Sequence, residues 1–321
     1  MENTIFIKKP LEIKDNIPLF SVDKYWGKSP ESVLLSGLKI IDEQGWKEFN
    51  RYYAGKLDFT DDQSRADWRF NVPVDKNFMV LDTGAGMGRI TLPLAKVVKR
   101  VVAFDASLSR MQFLQRRLKE EGLNNVDLLV ADFFDLPLAD ASFDLIVMNG
   151  VLEWVGKTNF FKDPQAAQLA SLKICLRLLK PGGYLYIGIE NRWALSYLRG
   201  FDHSGLRYTG YMPRFLASWY CQLRGRGKYD TYTYSRSGYE KLITQAGFTK
   251  ENIQFFLPYP GYNVPRIVVP YGNLNILQYL IVYLMSARGQ KRKLIQFLAR
   301  FDIFLWLYRL LFFSFNIIIK K

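Results

Sequence analysis

Histidine and cysteine are almost absent from this chain, and their scarcity excludes several kinds of site. The 321 residues include one histidine, His203, and two cysteines, Cys175 and Cys221. Neither cysteine has a second ligand at zinc-site spacing, so we predict no metal site and no disulfide framework. Two isolated thiols are typical of a reduced compartment, and we therefore expect a cytoplasmic protein.

Acidic residues are scarce in two segments of the chain. Residues 191–228 hold seven Lys or Arg and one acid, Asp202, while residues 271–321 hold eight and one acid, Asp302. These two segments carry nearly all of the formal net charge of +14. A positive charge concentrated in this way indicates an anionic partner.

Apolar runs of the length of a secretion signal or of a membrane-spanning helix are missing. The N-terminus, residues 1–15, has no apolar core, which argues against export. In the tail, two apolar runs too short to span a bilayer flank the basic cluster Arg288–Lys293. We expect residues 271–321 to lie on the anionic inner face of a membrane, or else to pack on the main domain or a second subunit, which would make a homo-oligomer.

Short β-rich runs alternate with helical patterns from Phe78 onward. The runs MVLDT, VVAFD, VDLLVA, FDLIVMN and YLYIGIE are separated by helical patterns, which predicts βαβ units. After an irregular stretch come one more helix and the runs IQFFLPY and VPRIVVP, whose short connection PGYN predicts an antiparallel hairpin. The expected fold is α/β and Rossmann-like, with a seven-stranded, mostly parallel sheet, an antiparallel terminal hairpin and helices on both faces.

The same pattern predicts three parts of the chain. Residues 1–70 are expected to form a helical lead-in. Residues 71–270 would be the main domain, with residues 191–234 as an acceptor-binding insertion that is too long for a plain loop. Residues 271–321 would be a basic, apolar, helical extension.

The stretch Phe78–Thr91, FMVLDTGAGMGRIT, is a strand followed by a glycine loop. A dinucleotide fingerprint needs a third glycine at the position of Arg89, so this loop does not match that class. The pattern here is D-x-G-x-G-x-G, beginning at Asp82. A carboxylate at that strand end would repel a pyrophosphate, and it suits a cofactor that presents a cation.

Two further strand ends carry carboxylates. Asp105 ends the second strand of the series, where it can accept hydrogen bonds from both ribose hydroxyls. Asp132 and Phe133 follow the third strand, where a carboxylate can take an adenine amino group and a ring can stack on the base.

These motifs, together with FDLIVMNGVLEWV and LLKPGGYLYI, resemble the class I S-adenosylmethionine-dependent methyltransferases over about residues 70–270. The resemblance implies S-adenosylmethionine as cofactor and methyl transfer as activity. The residues implied for the cofactor are Asp82, Gly84, Ala85, Gly86, Gly88, Asp105, Ala106, Asp132, Phe133, Asn149 and Gly150.

Motifs that are missing from the chain exclude some classes of methyl acceptor. No Asn/Asp-Pro-Pro-aromatic run follows the fourth strand, and neither cysteine stands in a Pro-Cys setting, so a nucleic-acid substrate is not expected. Methylation of a hydroxyl benefits from a general base, and His203 in the insertion is our candidate. If His203 is only structural, Asp202 and Glu190 are the alternatives.

The insertion carries a second resemblance, through ENRWALSYLRGFDHSGLRYTGYMPR and LPYPGYNVPR. It resembles methyltransferases found with bacterial glycosyltransferases in surface-polysaccharide and glycoconjugate pathways. That implies a sugar-bearing or other small acceptor, nucleotide- or lipid-linked, whose phosphates would meet Arg192, Arg199, Arg207 and Arg214. A second interpretation stays open, in which the chain is a cofactor-binding, membrane-associated partner protein without catalysis.

Overall fold

A computed structural model of the chain describes residues 5–25, 29–53, 63–157, 160–200, 202–284 and 290–321. The chain folds into two compact units. The first comprises Met1–Asn149, Lys173–Tyr186 and Lys321, and the second comprises Gly150–Leu172 and Ile187–Lys320. The units cut across the three parts predicted above, because the chain passes from one unit to the other within residues 71–270.

The described residues form ten strands and ten α-helices. The strands are β1 (Glu12–Lys14), β2 (Ile17–Leu19), β3 (Met79–Thr83), β4 (Arg100–Asp105), β5 (Val126–Val130), β6 (Phe143–Asn149), β7 (Leu179–Glu190), β8 (Ile253–Gly261), β9 (Val264–Pro270) and β10 (Ser314–Lys320). The helices are α1 (Glu31–Tyr53), α2 (Thr91–Ala95), α3 (Leu108–Glu120), α4 (Pro164–Leu178), α5 (Ser196–Arg199), α6 (Arg214–Leu223), α7 (Arg236–Gln245), α8 (Leu274–Tyr279), α9 (Gln290–Leu298) and α10 (Asp302–Leu310). A 3-10 helix spans Gln63–Asn71, and a π-helical turn, Leu280–Leu284, continues α8.

The sheet of the first unit has the strand order β1-β2-β5-β4-β3-β6-β7. Strand β3 lies between β4 and β6 and pairs with both in parallel, so that Asp82 is opposite Ala103 on one side and Val147 on the other. The middle of each of these strands is apolar and buried, as expected for parallel strands covered on both faces. Parallel pairing brings the carboxyl ends of β3, β4, β5 and β6 to one edge, where the predicted site residues lie.

In the second unit the strand order runs from the end of β7 through β10 and β8 to β9. Strands β8 and β9 pair antiparallel, so the predicted terminal hairpin is confirmed. Helix α7 precedes the hairpin, and its N-cap is Ser235, whose side chain accepts from the Gly238 N–H. The predicted α/β architecture with a mostly parallel sheet and surrounding helices is confirmed, but the predicted number of seven strands is wrong, because β1, β2 and β10 are also present.

The N-terminal lead-in differs from the prediction in one part. Helix α1 is present, and its buried face, which includes Leu38 and Phe49, packs on Phe113 of α3. Before it, however, β1 and β2 form an antiparallel hairpin, and Leu19 of β2 pairs in parallel with Val130 of β5. The prediction of a helical lead-in is therefore wrong for residues 12–19.

A turn signal in the sequence could have revealed this hairpin. Asp15 and Asn16 join β1 to β2, and both have positive φ, 50° and 62°. Two-residue hairpin turns require this conformation, and Asp and Asn tolerate it. Ile17, next to them, is fully buried, so the short strand is fixed by its apolar side chain.

The end of the tail is a strand and not a helix. Helices α8, α9 and α10 are present as predicted, but Ser314–Lys320 form β10, which pairs antiparallel with β8. Phe315, Ile317 and Ile319 are at most 1% exposed, and Ile318 between them is also buried. An apolar run buried on both faces is typical of an inner strand, and sequence alone does not distinguish it from a membrane segment.

Membrane crossing was not expected from the lengths of the apolar runs. In the part of the chain that the structure describes, no helix combines the length and apolarity needed to cross a membrane.

The burial of β10 yields a test of its role. Ile317→Ala should lower the free energy of unfolding by about 2–5 kcal/mol, because it leaves a cavity at a fully buried position. Ile303→Ala, at a position 65% exposed in α10, is the matched control and should change it by no more than about 0.5 kcal/mol. Urea unfolding measures both, and equal effects would contradict the assignment of 314–320 to the core.

Candidate active site

The glycine loop follows β3 and leads into α2. Gly84, Gly86 and Gly88 have φ values of 60°, 55° and 82°, in the left-handed region that favours glycine. A Cβ on Gly88 would lie 2.2 Å from a methyl group of Leu114 and 2.6 Å from one of Leu92, so this glycine is required for packing.

Gly86 differs from Gly88 in its surroundings. A Cβ on Gly86 would have no neighbour closer than 3.9 Å. The space over Gly86 is therefore open, as a loop approached by a cofactor requires. Ala85, between the glycines, donates its N–H to Phe104 O at 2.9 Å and so ties the loop to β4.

Asp82 stands at the carboxyl end of β3 and is 2% exposed. Its Oδ2 accepts a hydrogen bond of 2.6 Å from the Thr91 hydroxyl. Burial raises the pKa of Asp82 to about 7, and the Thr91 hydrogen bond and the charge of Arg65 oppose this shift only in part. The carboxyl group is thus half-ionised near neutral pH, and a cation placed beside it would favour the ionised form.

Asp105, at the end of β4, is tied to the glycine loop. Its Oδ2 accepts from the Gly86 N–H at 3.0 Å and its Oδ1 from the Ser107 N–H at 3.1 Å. Burial raises the pKa of Asp105, while the charge of Arg110, 3.7 Å away, and the backbone hydrogen bonds counteract that shift. Each carboxylate oxygen can accept a second hydrogen bond, so the group remains suited to a diol. Ala106, next in the chain, accepts from the Lys24 N–H through its carbonyl oxygen.

Asp132 and Phe133 begin a short 3-10 turn after β5. The side chain of Asp132 accepts from the Phe134 N–H at 2.9 Å and caps this turn. The Phe133 ring is 9% exposed and packs edge-on against Phe104 at 5.7 Å. Stacking of Phe133 on an adenine ring stays a prediction.

Asn149 ends β6, and its side chain is almost completely buried. Its Oδ1 accepts from the Tyr186 hydroxyl at 3.2 Å, but among the described residues its Nδ2 has no hydrogen-bond partner. A buried amide donor without a partner is costly and points to an acceptor group on a ligand. Together with the open space over Gly86, this donor shows that the residues of the first unit fit a polar cofactor such as S-adenosylmethionine.

Arg65 is a site residue that our reading of the sequence missed. Its Nη2 lies 3.5 Å from the Asn149 carbonyl oxygen, and its charge lowers the pKa of Asp82. The residue belongs to the 3-10 helix Gln63–Asn71, which has no motif, so only the fold brings it to the strand ends. Next to it, Trp68 stacks on Tyr186 with ring centroids 3.7 Å apart.

In the second unit, the candidate base His203 lies beside Glu190. Its Nε2 is 3.2 Å from Glu190 Oε1, which also accepts from the Tyr262 hydroxyl at 2.9 Å. The ring of Trp154 lies 4.9 Å from the imidazole ring. Glu153 is fully buried, and one potential ligand atom from each of Glu153, Glu190 and His203 lies within 4.8 Å of the others.

The charges of this group determine its protonation. Burial by itself lowers the pKa of His203, but the hydrogen bond to Glu190 and the charges of Glu190, Glu153 and Asp202 raise it to about 9. Burial raises the pKa of Glu190, yet the contacts with His203 and Tyr262 bring it below its ordinary value. At neutral pH the pair is therefore an imidazolium and a carboxylate. Three groups at this spacing could also hold a divalent cation, which the sequence analysis did not predict.

Asp202, an alternative base, has a structural position. Its Oδ1 accepts from the Ser204 N–H at 2.8 Å, and its Oδ2 accepts from the Thr209 hydroxyl. Both oxygens thus order the loop that carries His203. Gly150, the last of the predicted cofactor residues, has a φ of 68° and donates its N–H to Gly188 O at 2.8 Å in the same unit.

Two of the arginines predicted to meet phosphates are engaged elsewhere. Arg192 donates to the carbonyl oxygens of Gly210 and Met212 at 2.6 and 2.7 Å. Arg214 donates to a backbone carbonyl, and its guanidinium stacks over Tyr232 at 4.1 Å. Both hold the insertion together. Arg207 is exposed, and the side chain of Arg199 lies outside the described residues.

Comparison with known proteins identifies the class of the central region. Residues 81–187 match the family described as a methyltransferase domain. This region is a methyltransferase domain, as the motifs predicted.

Two curated relatives illustrate the range of matches. The chain is 31% identical over 140 residues to a ubiquinone biosynthesis O-methyltransferase of Parvibaculum lavamentivorans, covering 43% of this chain and 50% of that protein. It is 33% identical over 108 residues to the cypemycin N-terminal methyltransferase of a Streptomyces species, covering 34% and 40%. The chain thus matches about half the length of these relatives or less. One of these relatives is named an O-methyltransferase and the other an N-terminal methyltransferase. Their names therefore do not indicate which atom this chain would methylate.

A solved structure of low identity gives a further comparison. An S-adenosylmethionine-dependent methyltransferase of Thermotoga maritima, described as a possible histamine N-methyltransferase, aligns over 88% of this chain and 97% of its own. The identity is 17% and the TM-score is 0.45, too low to bear on function.

The different surroundings of Gly86 and Gly88 predict that substitutions there affect cofactor affinity and stability separately. Gly88→Ala should lower the free energy of unfolding by about 1–3 kcal/mol more than Gly86→Ala, because its Cβ meets two leucine side chains. Gly86→Ala adds only the strain of the left-handed backbone to the folded state. Its affinity for S-adenosylmethionine should nevertheless fall at least roughly tenfold, because the added methyl group occupies the open space. Urea unfolding and calorimetric titration measure the two effects. Unchanged affinity in Gly86→Ala would contradict the placement of the cofactor.

The raised pKa of Asp82 predicts a pH-dependent effect on stability. The folded pKa of about 7 exceeds the unfolded value of 3.8, so ionisation destabilises the folded state increasingly between those values. Asp82→Asn removes this effect, and its stability relative to the natural protein should rise from pH 4 to pH 7 and level off above. Its affinity for S-adenosylmethionine should fall at the same time. Urea unfolding at several pH values, with calorimetry at pH 8, checks both, and a stability difference that stays constant between pH 4 and pH 7 would contradict the assignment.

Proposed function

We propose that this protein is an S-adenosylmethionine-dependent O-methyltransferase that acts on a hydroxyl group of a small acceptor. The observation that carries the proposal is the pairing of His203 with Glu190 next to buried Glu153, in the segment that follows the cofactor strands. Glu153 comes four residues after Asn149 along the chain. An acid–base group of this kind is what transfer to an alcohol needs, because an alcohol is a poor nucleophile until its proton leaves.

The chemistry assigns a definite task to His203. The bound cofactor supplies a methyl group that is activated by its sulfonium. The neutral imidazole of His203 would accept the hydroxyl proton as the acceptor oxygen gains the methyl group, and the cofactor, which residues such as Asp82 and Asp105 would hold, would be released as a neutral thioether. The carboxylate of Glu190, 3.2 Å from Nε2, stabilises the imidazolium that results.

For the acceptor we propose a sugar-bearing molecule of glycoconjugate biosynthesis, linked to a nucleotide or a lipid. The support is the resemblance of the insertion and its positive charge. Arg224, Arg226 and Lys228, which follow α6, are all exposed and are better placed for phosphates than Arg192 and Arg214.

A second candidate function is a partner protein that binds the cofactor without catalysis. The pair of His203 and Glu190 favours the enzyme, because a protein that only binds the cofactor needs no proton acceptor. Release of S-adenosylhomocysteine with a panel of sugar and phenol acceptors distinguishes the two, with the full chain as the protein. Parallel assays with EDTA and with added magnesium show whether a cation at Glu153, Glu190 and His203 takes part.

The pKa of His203 predicts the pH profile of the reaction. If the neutral imidazole is the base, kcat/KM should rise about tenfold per pH unit up to about pH 9, and then level off. Glu190→Gln removes the charge that raises this pKa, so the rising limb should move to lower pH. His203→Gln should remove the limb and lower kcat/KM by roughly a hundredfold at pH 9, with cofactor affinity unchanged.

Ser237→Ala, in α7 of the same unit, serves as a control that should not change the pH dependence of kcat/KM. A profile that stays flat between pH 6.5 and pH 8.5 would show that His203 is not the base, which would leave the Glu190 carboxylate as the alternative proton acceptor. A His203→Gln variant with reduced cofactor affinity would point to a structural role instead.

A further inference from the structure

The three helices after the β8–β9 hairpin expose large apolar side chains at helical spacing. In α8 and its π-helical continuation, these are Ile276, Tyr279, Tyr283 and Leu284, and the first three follow one another at three- and four-residue intervals. The rings of Tyr279 and Tyr283 are 4.9 Å apart, so they form a continuous stripe along one side.

Helices α9 and α10 carry the same pattern. The exposed side chains are Leu294 and Phe297 of α9, Phe301 at the N-cap of α10, and Ile303, Trp306 and Leu307 of α10. Across all three helices, each exposed large apolar side chain is between 43% and 67% exposed. Scattered single residues of this kind are common on protein surfaces, but consecutive stripes on three helices mark an interaction site. We call this set the apolar stripes of α8–α10.

The stripes belong to an ordered surface. Leu277, Leu280 and Ile281 of the first helical segment are buried, as is Leu305 of α10. Gln278 donates to Ala299 O at 2.7 Å, and Gln296 donates to Val282 O at 2.9 Å, so α8 and α9 are joined through their side chains. The helices therefore keep one face in the protein and present the other.

The charge of this region indicates the chemistry of its partner. Six Lys or Arg and a single acid lie between Leu274 and Leu310. Lys293 and Arg300, both exposed, flank the stripe of α9. Apolar side chains with tyrosine and tryptophan among them, bordered by basic residues, match the interface of a bilayer with anionic headgroups.

We propose that the apolar stripes of α8–α10 dock the protein on an anionic lipid bilayer, with the helices lying in the plane of the headgroups. Helices α9 and α10 have nine residues each, about 14 Å of helix, which suits this orientation. A second copy of the chain fits less well, because it would bring two faces of the same positive charge together. This inference does not depend on the proposed O-methylation.

Sedimentation with lipid vesicles tests the proposal on the full-length protein. The protein should bind vesicles of phosphatidylcholine that contain about a third phosphatidylglycerol, and this binding should weaken as the salt concentration is raised. The triple variant Phe297→Ser, Ile303→Ser, Trp306→Ser should lose at least roughly tenfold in partitioning, because it removes apolar side chains from the interface. Lys293→Glu with Arg300→Glu should weaken binding to these vesicles and not to phosphatidylcholine alone.

A matched control comes from the first unit, where Val22 and Phe70 are also strongly exposed. The double variant Val22→Ser, Phe70→Ser should bind vesicles like the natural protein. Thermal unfolding should be unchanged in every variant, since all these positions are exposed. The proposal is overturned if the natural protein ignores anionic vesicles at low salt, or if the triple variant binds them equally well. A dimer that the triple variant dissociates, without vesicle binding, would assign the stripes to a second copy.

Discussion

The hydrogen bond from the Gly86 N–H to the Asp105 carboxylate is the interaction on which the cofactor half of the protein depends. It joins the loop after β3 to the end of β4 at Gly86, whose left-handed backbone conformation favours glycine. At the other end of the loop, Gly88 leaves room for the leucines of α2 and α3. These contacts, with the hydrogen bond from the Ala85 N–H to Phe104 O, set the loop at the strand ends and leave open space over Gly86.

The buried carboxylates of the two units are compensated in different ways. Asp82 is stabilised chiefly by the Thr91 hydroxyl, and Asp105 by the charge of Arg110 and by backbone N–H groups, while burial keeps both pKa values raised. Glu190 faces an imidazolium, and its pKa is lowered. The first unit is therefore ready to accept the positive charge of a sulfonium and ammonium cofactor. The second already has an internal counter-charge in His203 and needs no cation from a ligand to balance Glu190.

The C-terminal region shows how similar composition leads to different structures. Residues 274–310 and Ser314–Lys320 are both rich in apolar residues. Strand β10 finds a partner in β8 and is buried on both faces, whereas α8–α10 can cover only one face each. An apolar composition makes burial favourable, but it does not specify the neighbour against which the side chains are buried. That neighbour depends on the pairing of strands that are distant in the chain.

Local sequence determined the order of the strands and helices from β3 to β9, the glycine loop, and the carboxylates at the ends of β3 and β4. These features follow from short-range patterns, because side-chain periodicity and glycine spacing act within a few residues. Tertiary structure alone placed Arg65 beside Asp82 and Asn149, raised the pKa of His203, and turned the last apolar run into a strand. Each of these depends on groups far apart in the chain, whose burial and charge act on one another only when folding brings them within a few ångströms.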